Sequence, residues 1–351
     1  MSARAHKVAL RRGPLSLRFE PRAVVVGAAL TVAMLAALTV DVGRGELDIA
    51  PLDVLKALVG AGDEATSFVV VDLRLPRALV ALLIGVALGV AGAIFQDISR
   101  NPLVAPDIIG VSHGAALAAV SFIVLFDSTA TYAVPGAALA GALVAGVVLY
   151  ALAWRNGMQG YRLVLVGIGV AAVLQAGIAW VLTQGQVLDA ALAYIWIVGS
   201  LNGRDWDHVW PLLGTVAVLV PLALLLARQL QVLQLGDEVA RALGANVERQ
   251  RLGLLLIALV LVGVAVAAGG PIAFTAFIAP HIARRLTRSV TPLSVLPVAA
   301  LVGATLVCVA DTAGRLLFSP DEIPVGIVTS IIAAPYFLYL LSRANRLGVT
   351  G

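Results

Sequence analysis

The stretch LGLLLIALVLVGVAVAAGGPIAFTAFIAPHIA, residues 252–283, decides how the whole chain is threaded. No charged side chain occurs in it before Arg284, and Gly269-Gly270-Pro271 breaks it in two. As one helix rising about 1.5 Å per residue it would reach roughly 48 Å, too long for one passage through hydrocarbon roughly 30 Å thick and short for two. Backbone hydrogen bonds must close within a bilayer, so the Gly-Gly-Pro break is expected at a turn near a surface and not in mid-span.

The remainder has the same character. Of the 351 residues 60% are apolar and 13% charged, and the mean hydropathy is +0.99. That excludes a soluble globular protein and leaves no room for a soluble catalytic domain. Further apolar runs lie at 23–40, 76–96, 108–126, 132–154, 162–182, 209–227, 293–310 and 323–341. Counting 252–283 as two passages gives an all-α, polytopic membrane protein of ten transmembrane helices. Cytoplasmic loops collect Lys and Arg. With ten passages and both termini inside, 18 of the 24 basic residues fall on the inner side and 6 on the outer, whereas a single passage through 252–283 degrades the division to 14 against 10.

The expected organisation is a cytoplasmic N-terminal tail over 1–22, a transmembrane domain over 23–342 and a cytoplasmic tail over 343–351. The basic N-terminal segment has no small-residue cleavage site after it, so the first helix reads as a retained anchor. Residues 189–204 are too short to cross and end in Gly-Ser and Asn-Gly breaks, which suggests a re-entrant or interfacial helix on the outer side. Residues 228–251 form the longest internal cytoplasmic loop. Within it Asp237 and Glu238 open a helical turn, Gly244 stops it, and Val239, Leu243 and Val247 recur at helical spacing, giving an amphipathic element whose apolar face needs a cover.

Motifs of chemistry are mostly missing. There is no G-x-x-x-x-G-K-[ST], so the chain does not bind ATP in the P-loop manner. Gly110-Val111-Ser112-His113-Gly114 matches the nucleophile elbow of hydrolases, but it opens an alanine-rich span without the strand-to-helix turn that such a serine needs, and small residues for close helix packing are the reading preferred over an intramembrane hydrolase using Ser112. His6, His113, His208 and His281 show no metal-binding spacing. Mid-span acids or histidines that a stand-alone proton-driven carrier would use are not evident. Cys308 lies inside an apolar run, so no disulfide framework exists. On the outer side, Arg74, Arg77 and Arg315 flank the mouths of spans two and ten. Snorkelling is their plain reading, and capture of carboxylates on an extracytoplasmic partner the sharper one.

Several spaced motifs then carry a resemblance. They are Arg74-Leu75-Pro76-Arg77, Gly92-Ala93 with Gln96, Arg100-Asn101-Pro102-Leu103 through Pro106 to Gly110, Gly199-Ser200-Leu201, Leu235-Gly236-Asp237 with Ala240 and Leu243-Gly244, Gly270-Pro271-Ile272 with Ala279-Pro280-His281-Ile282-Ala283-Arg284, and Pro324-Val325-Gly326. In this order they closely resemble the FecCD family, the iron-siderophore and cobalamin permeases of type II ABC importers. Ala153-Trp154-Arg155-Asn156-Gly157 and Gly199-Ser200-Leu201-Asn202-Gly203 look most like the permease half used for ferric enterobactin, a catecholate siderophore. His113 and Asp97 depart from the family pattern.

The resemblance implies a BtuC-like permease fold in the bacterial cytoplasmic membrane, paired with a second permease of the family as a heterodimer. It further implies two copies of a separate ABC ATPase, an extracytoplasmic siderophore-binding protein and no nucleic-acid partner. ATP and magnesium would belong to the ATPase and iron to the siderophore, so the chain itself needs no cofactor, metal ligand or catalytic residue. By the same resemblance Arg74, Arg77 and Arg315 would dock the binding protein, and Asn101, Leu103, Gln159 and Gly160 would form the cytoplasmic gate. Leu235, Gly236, Asp237, Glu238, Ala240, Leu243 and Gly244 would couple to the ATPase. Trp196, Gly199, Ser200, Pro324, Val325 and Gly326 would line the pathway. Cobalamin or haem compete as cargo.

Overall fold

The computed structural model describes residues 8–12, 15–45, 47–126, 132–154, 160–317 and 321–348. Two strands, β1 (Val8–Arg12) and β2 (Leu15–Phe19), pair antiparallel with Val8 opposite Phe19 and Arg12 opposite Leu15. The segment read as a tail therefore carries a hairpin. Helices follow without further strands among the described residues: α1 (Pro21–Gly43), α2 (Pro51–Leu58), α3 (Glu64–Ser67), a π-helical turn over Phe68–Arg74, α4 (Leu75–Ser99), α5 (Val111–Leu125), α6 (Ala133–Ala153) and α7 (Gly160–Leu182). The second half contains α8 (Val187–Val198), α9 (Trp206–Leu225), α10 (Ala227–Gln234), α11 (Asp237–Ala242), α12 (Val247–Gly269), α13 (Thr275–Thr287), α14 (Pro292–Leu316) and α15 (Val325–Gly348).

Among the described residues, seven helical stretches are long and apolar enough to cross a membrane: α1, the continuous run Glu64–Ser99, α6, α7, α9, α12 and α14. Three of the ten expected spans differ from them. α5 and Val325–Tyr339 are apolar but shorter, and α13, the second half of the deciding stretch, has 13 residues, which is about 20 Å of helix.

The break in that stretch is not where surface chemistry would put it. Gly269 abuts Ile84 and Leu201, and Gly270 abuts the backbone of Trp196 and Gly199. Irregular backbone is tolerated at depth when protein surrounds it. Here the Gly270 N–H bonds the Val266 carbonyl at 2.8 Å, and the Phe274 N–H bonds the Asp107 carboxylate at 3.0 Å. Gly270, at φ +72°, and Phe274, at φ +63°, make the reversal. From it α13 runs back along α4, because Gly92 touches the Ala276 carbonyl and Arg284 reaches Gln96 and Asp97. The stretch thus leaves from Arg251 and returns to Arg284 at the same end of the bundle. We call it the Asp237 end, after the residue that pairs with Arg251 there, and the other the Arg77 end.

α4 is the spine, buried along most of its length. A Cβ at Gly85 would strike the backbone of Gly303, one at Gly89 the Ala299 carbonyl and one at Gly92 the Ala276 carbonyl. Small residues at such spacing let helix backbones approach where no hydrophobic drive distinguishes helix from lipid. Gly214 of α9, by contrast, has nothing near its missing Cβ. Gly92→Ala is therefore expected to destabilise the detergent-purified protein by about 1–3 kcal/mol, since an inserted methyl must push backbone apart. Gly214→Ala should be neutral or stabilising by up to about 1 kcal/mol. Thermal unfolding of the two variants side by side checks the contrast.

Candidate functional site

At the Arg77 end a basin of 1030 Å3 brings together Arg74, Arg77 and Arg315, the three arginines singled out in the sequence, and adds Arg44 and Arg204. α4 and α14 place Arg77 and Arg315 side by side. The two are not idle charges. Arg77 grips Asp311 through Nε and Nη2, both at 2.9 Å, and Glu322 through Nη1 at 3.0 Å. Arg315 pairs with Asp41 of α1 and lies 3.5 Å from Asp311. Thr312 donates to Asp41 at 2.7 Å. Asp311 is 2% exposed, so this network is internal: the three arginines share one basin, and Arg77 and Arg315 are already paired within the fold. Arg74 donates to the Val42 and Leu47 carbonyls. The network escaped the sequence reading because Arg77 and Asp311 lie 234 positions apart; only the Asp311/Arg315 pair has a helical i, i+4 spacing that could have flagged it.

The motifs read separately as Gly-Ser-Leu, Gly-Pro-Ile and Pro-Val-Gly meet at one junction. The Gly326 N–H bonds the Gly199 carbonyl at 3.1 Å. A Cβ on Gly199 would hit the Pro271 carbonyl, one on Gly270 the Trp196 carbonyl and one on Gly326 the Val198 carbonyl. Gly199 also has φ +81°, so glycine is required there twice over. Towards the Arg77 end a cavity of 690 Å3 is lined by Trp196, Ser200, Pro324 and Val325, all expected in the pathway, together with Arg77 and Arg204. Beyond the junction lies a cavity of 570 Å3 with Asp107, Ser112, His113 and Gln175 in its wall.

Ser112 donates to Asp107 at 2.9 Å, and His113 faces Gln175 through Nε2 at 3.0 Å. The serine is thus held by the acid that also caps the 270–274 reversal, with no imidazole positioned on its Oγ, and the hydrolase geometry is not assembled. Among the described residues there is no group of three or more His, Cys, Asp or Glu side chains able to hold a metal ion.

At the Asp237 end the short helix α11 starts after Gly236, at φ +101°, and stops before Gly244, at φ +82°. Ala240 is buried, while Leu235, Val239 and Leu243 are 57%, 48% and 64% exposed, so Val239 and Leu243 of the expected row are open. Val247, expected in that row, is buried at the start of α12. Glu238 is exposed. Asp237 does more than favour the helix dipole: it accepts from the buried Arg251 at 2.6 Å and lies 3.7 Å from Arg100. Arg100 ends α4 in left-handed conformation, φ 53°. Next to it the Asn101 side chain accepts from the Leu103 N–H at 2.9 Å, Ser99 approaches the Asn101 carbonyl, and Gly160 packs on the Ser99 carbonyl. Asn101, Leu103 and Gly160 are therefore neighbours, and Gln159 lies outside the described residues, as does the stretch around Arg155.

Residues 25–343 match the model of the FecCD transport family. The chain is 42% identical over 313 residues to the iron(3+)-hydroxamate import system permease protein FhuG of Bacillus subtilis, covering 87% of this chain and 93% of that one. It is also 42% identical over 302 residues to the ferric enterobactin transport system permease protein FepG of Escherichia coli, covering 86% and 91%. A solved structure described as an inward-facing metal-chelate type ABC transporter superposes with a TM-score of 0.81 at 26% identity, covering 91% of this chain and 99% of its own.

Breaking one side of a buried ion pair strands its partner, whereas replacing both sides removes the problem. Asp311→Asn is expected to destabilise the protein by about 3–5 kcal/mol, and Asp311→Leu combined with Arg77→Met by markedly less. Thermal unfolding of the purified variants would show the reverse order if the network carried no buried charge.

Proposed function

The chain belongs to the FecCD transport family, and from that premise we propose that it is one of two permease subunits importing an iron(III)-siderophore across the bacterial cytoplasmic membrane. It is a multi-pass membrane transport component and not an enzyme, with ATP hydrolysis on a separate partner. The relatives named above support an iron chelate as cargo. The Trp154 and Gly199–Gly203 segments favour a catecholate of the enterobactin kind. The subunit pairs with a related permease, ten helices each with both termini cytoplasmic, counting α13 as the returning half of the broken stretch. It needs no cofactor of its own, since ATP and magnesium sit on the ATPase and the iron stays wrapped in its chelator.

The observation that carries this reading is the exposure of the apolar Leu235, Val239 and Leu243 on and beside α11, at the end opposite the arginine basin. A groove on the ATPase is its cover. Movement of α11 reaches the gate through Asp237, which holds Arg251 at the foot of α12 and faces Arg100 beside Asn101 and Leu103. At the other end a binding protein seats over the basin and releases the chelate towards the cavity lined by Trp196, Ser200, Pro324 and Val325. Alternating access then requires a bundle with two arrangements, biased at one end by nucleotide and at the other by docking.

Two variants test the two ends in proteoliposomes holding the complete transporter. Gly244→Val places a β-branched residue at φ +82°, a conformation such residues rarely tolerate. It should leave the complex inserted and ATP hydrolysis running while iron uptake falls at least about tenfold; full uptake refutes the coupling role. Arg74→Glu should weaken association of the binding protein, with the difference from wild type shrinking as salt rises. Equal docking at low salt would remove Arg74 from the docking surface.

A further inference from the structure

Three arginines of the basin are already paired with carboxylates. Arg44 pairs with Asp48, Arg77 with Asp311 and Glu322, and Arg315 with Asp41. Arg204 has no carboxylate within salt-bridge distance among the described residues, and its Nε is buried without a partner. Its Nη1 meets His208 Nε2 at 2.9 Å. A guanidinium only donates, so that ring nitrogen accepts, and His208 Nδ1–H donates to Asp205 at 2.7 Å. The imidazole thus holds Arg204 in place without neutralising it. Burial lowers the basicity of the guanidinium, and the nearby Asp205 only partly opposes this; arginine nonetheless keeps its proton.

Arg204 is half-buried, and a cation partly withdrawn from water with no carboxylate against it is costly unless something else satisfies it. Its position says what could. Arg204 lines both the 1030 Å3 basin and the 690 Å3 cavity, standing at the saddle between them with Arg77 and Glu322. The cavity wall beyond is apolar, with Leu192, Ile195 and Trp196. A charge in such a wall attracts an anion more strongly than one in open water would.

Building on the importer reading, we propose that Arg204 is the anion-receiving residue at the mouth of the pathway, and that the cargo is a chelate of net negative charge, presenting catecholate or carboxylate oxygens. Arg204 makes the first charged contact with the chelate as it passes from the basin into the cavity. His208 aims the fork.

The test uses the intact complex in phosphatidylcholine nanodiscs, titrated with two probes: a ferric tris-catecholate, which is a trianion, and a neutral ferric trihydroxamate. Quenching of tryptophan fluorescence reports binding, Trp196 being in the cavity wall. Wild type should bind the anion about tenfold more tightly than the neutral chelate, as a charge-assisted contact provides, and that preference should shrink in about 0.5 M salt. Arg204→Gln should abolish it and Arg204→Lys retain most of it. Equal binding of both chelates by wild type, or no binding of the anion, overturns the inference, and so does an Arg204→Gln protein with the wild-type preference. Should Arg204→Gln fail to assemble, the wild-type and Arg204→Lys titrations still decide. ATP-driven uptake in proteoliposomes separates the two levels. A wild-type transporter that imports iron while showing no anion preference sinks this inference alone, whereas one that imports neither chelate sinks the iron-siderophore cargo beneath it.

Discussion

Nothing but backbone separates α4 from its neighbours at Gly85, Gly89 and Gly92. In water such contacts would be one item among many, but in hydrocarbon a helix gains little by trading lipid tails for apolar side chains, and close van der Waals contact between backbones becomes a main source of association. With α14 and α13 locked onto it, α4 fixes the distance between Arg77 near one end and Arg100 at the other. Each polar assembly of the molecule is hung from one end of this spine.

The two assemblies share a logic. At the Arg77 end, Asp311 and Arg77 satisfy each other across helices remote in sequence, and Glu322 ties the segment before α15 to the same guanidinium. At the Asp237 end, one carboxylate serves the buried Arg251 of α12 and faces Arg100 of α4. Buried charges of this kind contribute little net stability, yet they tolerate few alternative arrangements. Between them the junction of Gly199, Gly270 and Gly326 joins α8, the 270–274 reversal and α15 through backbone contacts, so the walls of both cavities are set by the same few atoms.

Much of this was legible beforehand, for reasons that can be named. Hydropathy alone gives the helical bundle, because apolar runs of the required length have few other uses. The turn from Asp237 to Gly244 is readable because its start and stop rest on local chemistry. Counting arginines sends 252–283 out and back, and both its ends do lie together. The depth of its turn was not readable: the sequence rule that irregular backbone seeks a surface fails where Trp196, Gly199 and Leu201 supply the surroundings. Nor could spacing reveal that Arg77 and Arg315 are already matched while Arg204 is not, since every one of those facts depends on pairings between distant helices. The hairpin over Val8–Phe19 lay in a segment too polar to read by hydropathy and too short for periodicity.

Arg100 occupies a backbone conformation that glycine adopts freely and arginine does so at a cost of roughly 1 kcal/mol. Such a helix end is ordinarily where a protein relaxes. Here the penalty is accepted at the residue whose side chain faces Asp237, so the geometry that ends the spine also aims its charge at the loop below. A compliant residue at that point would leave the direction of the side chain loose; a left-handed arginine, like the left-handed Phe274 at the 270–274 reversal, makes a stiff corner instead.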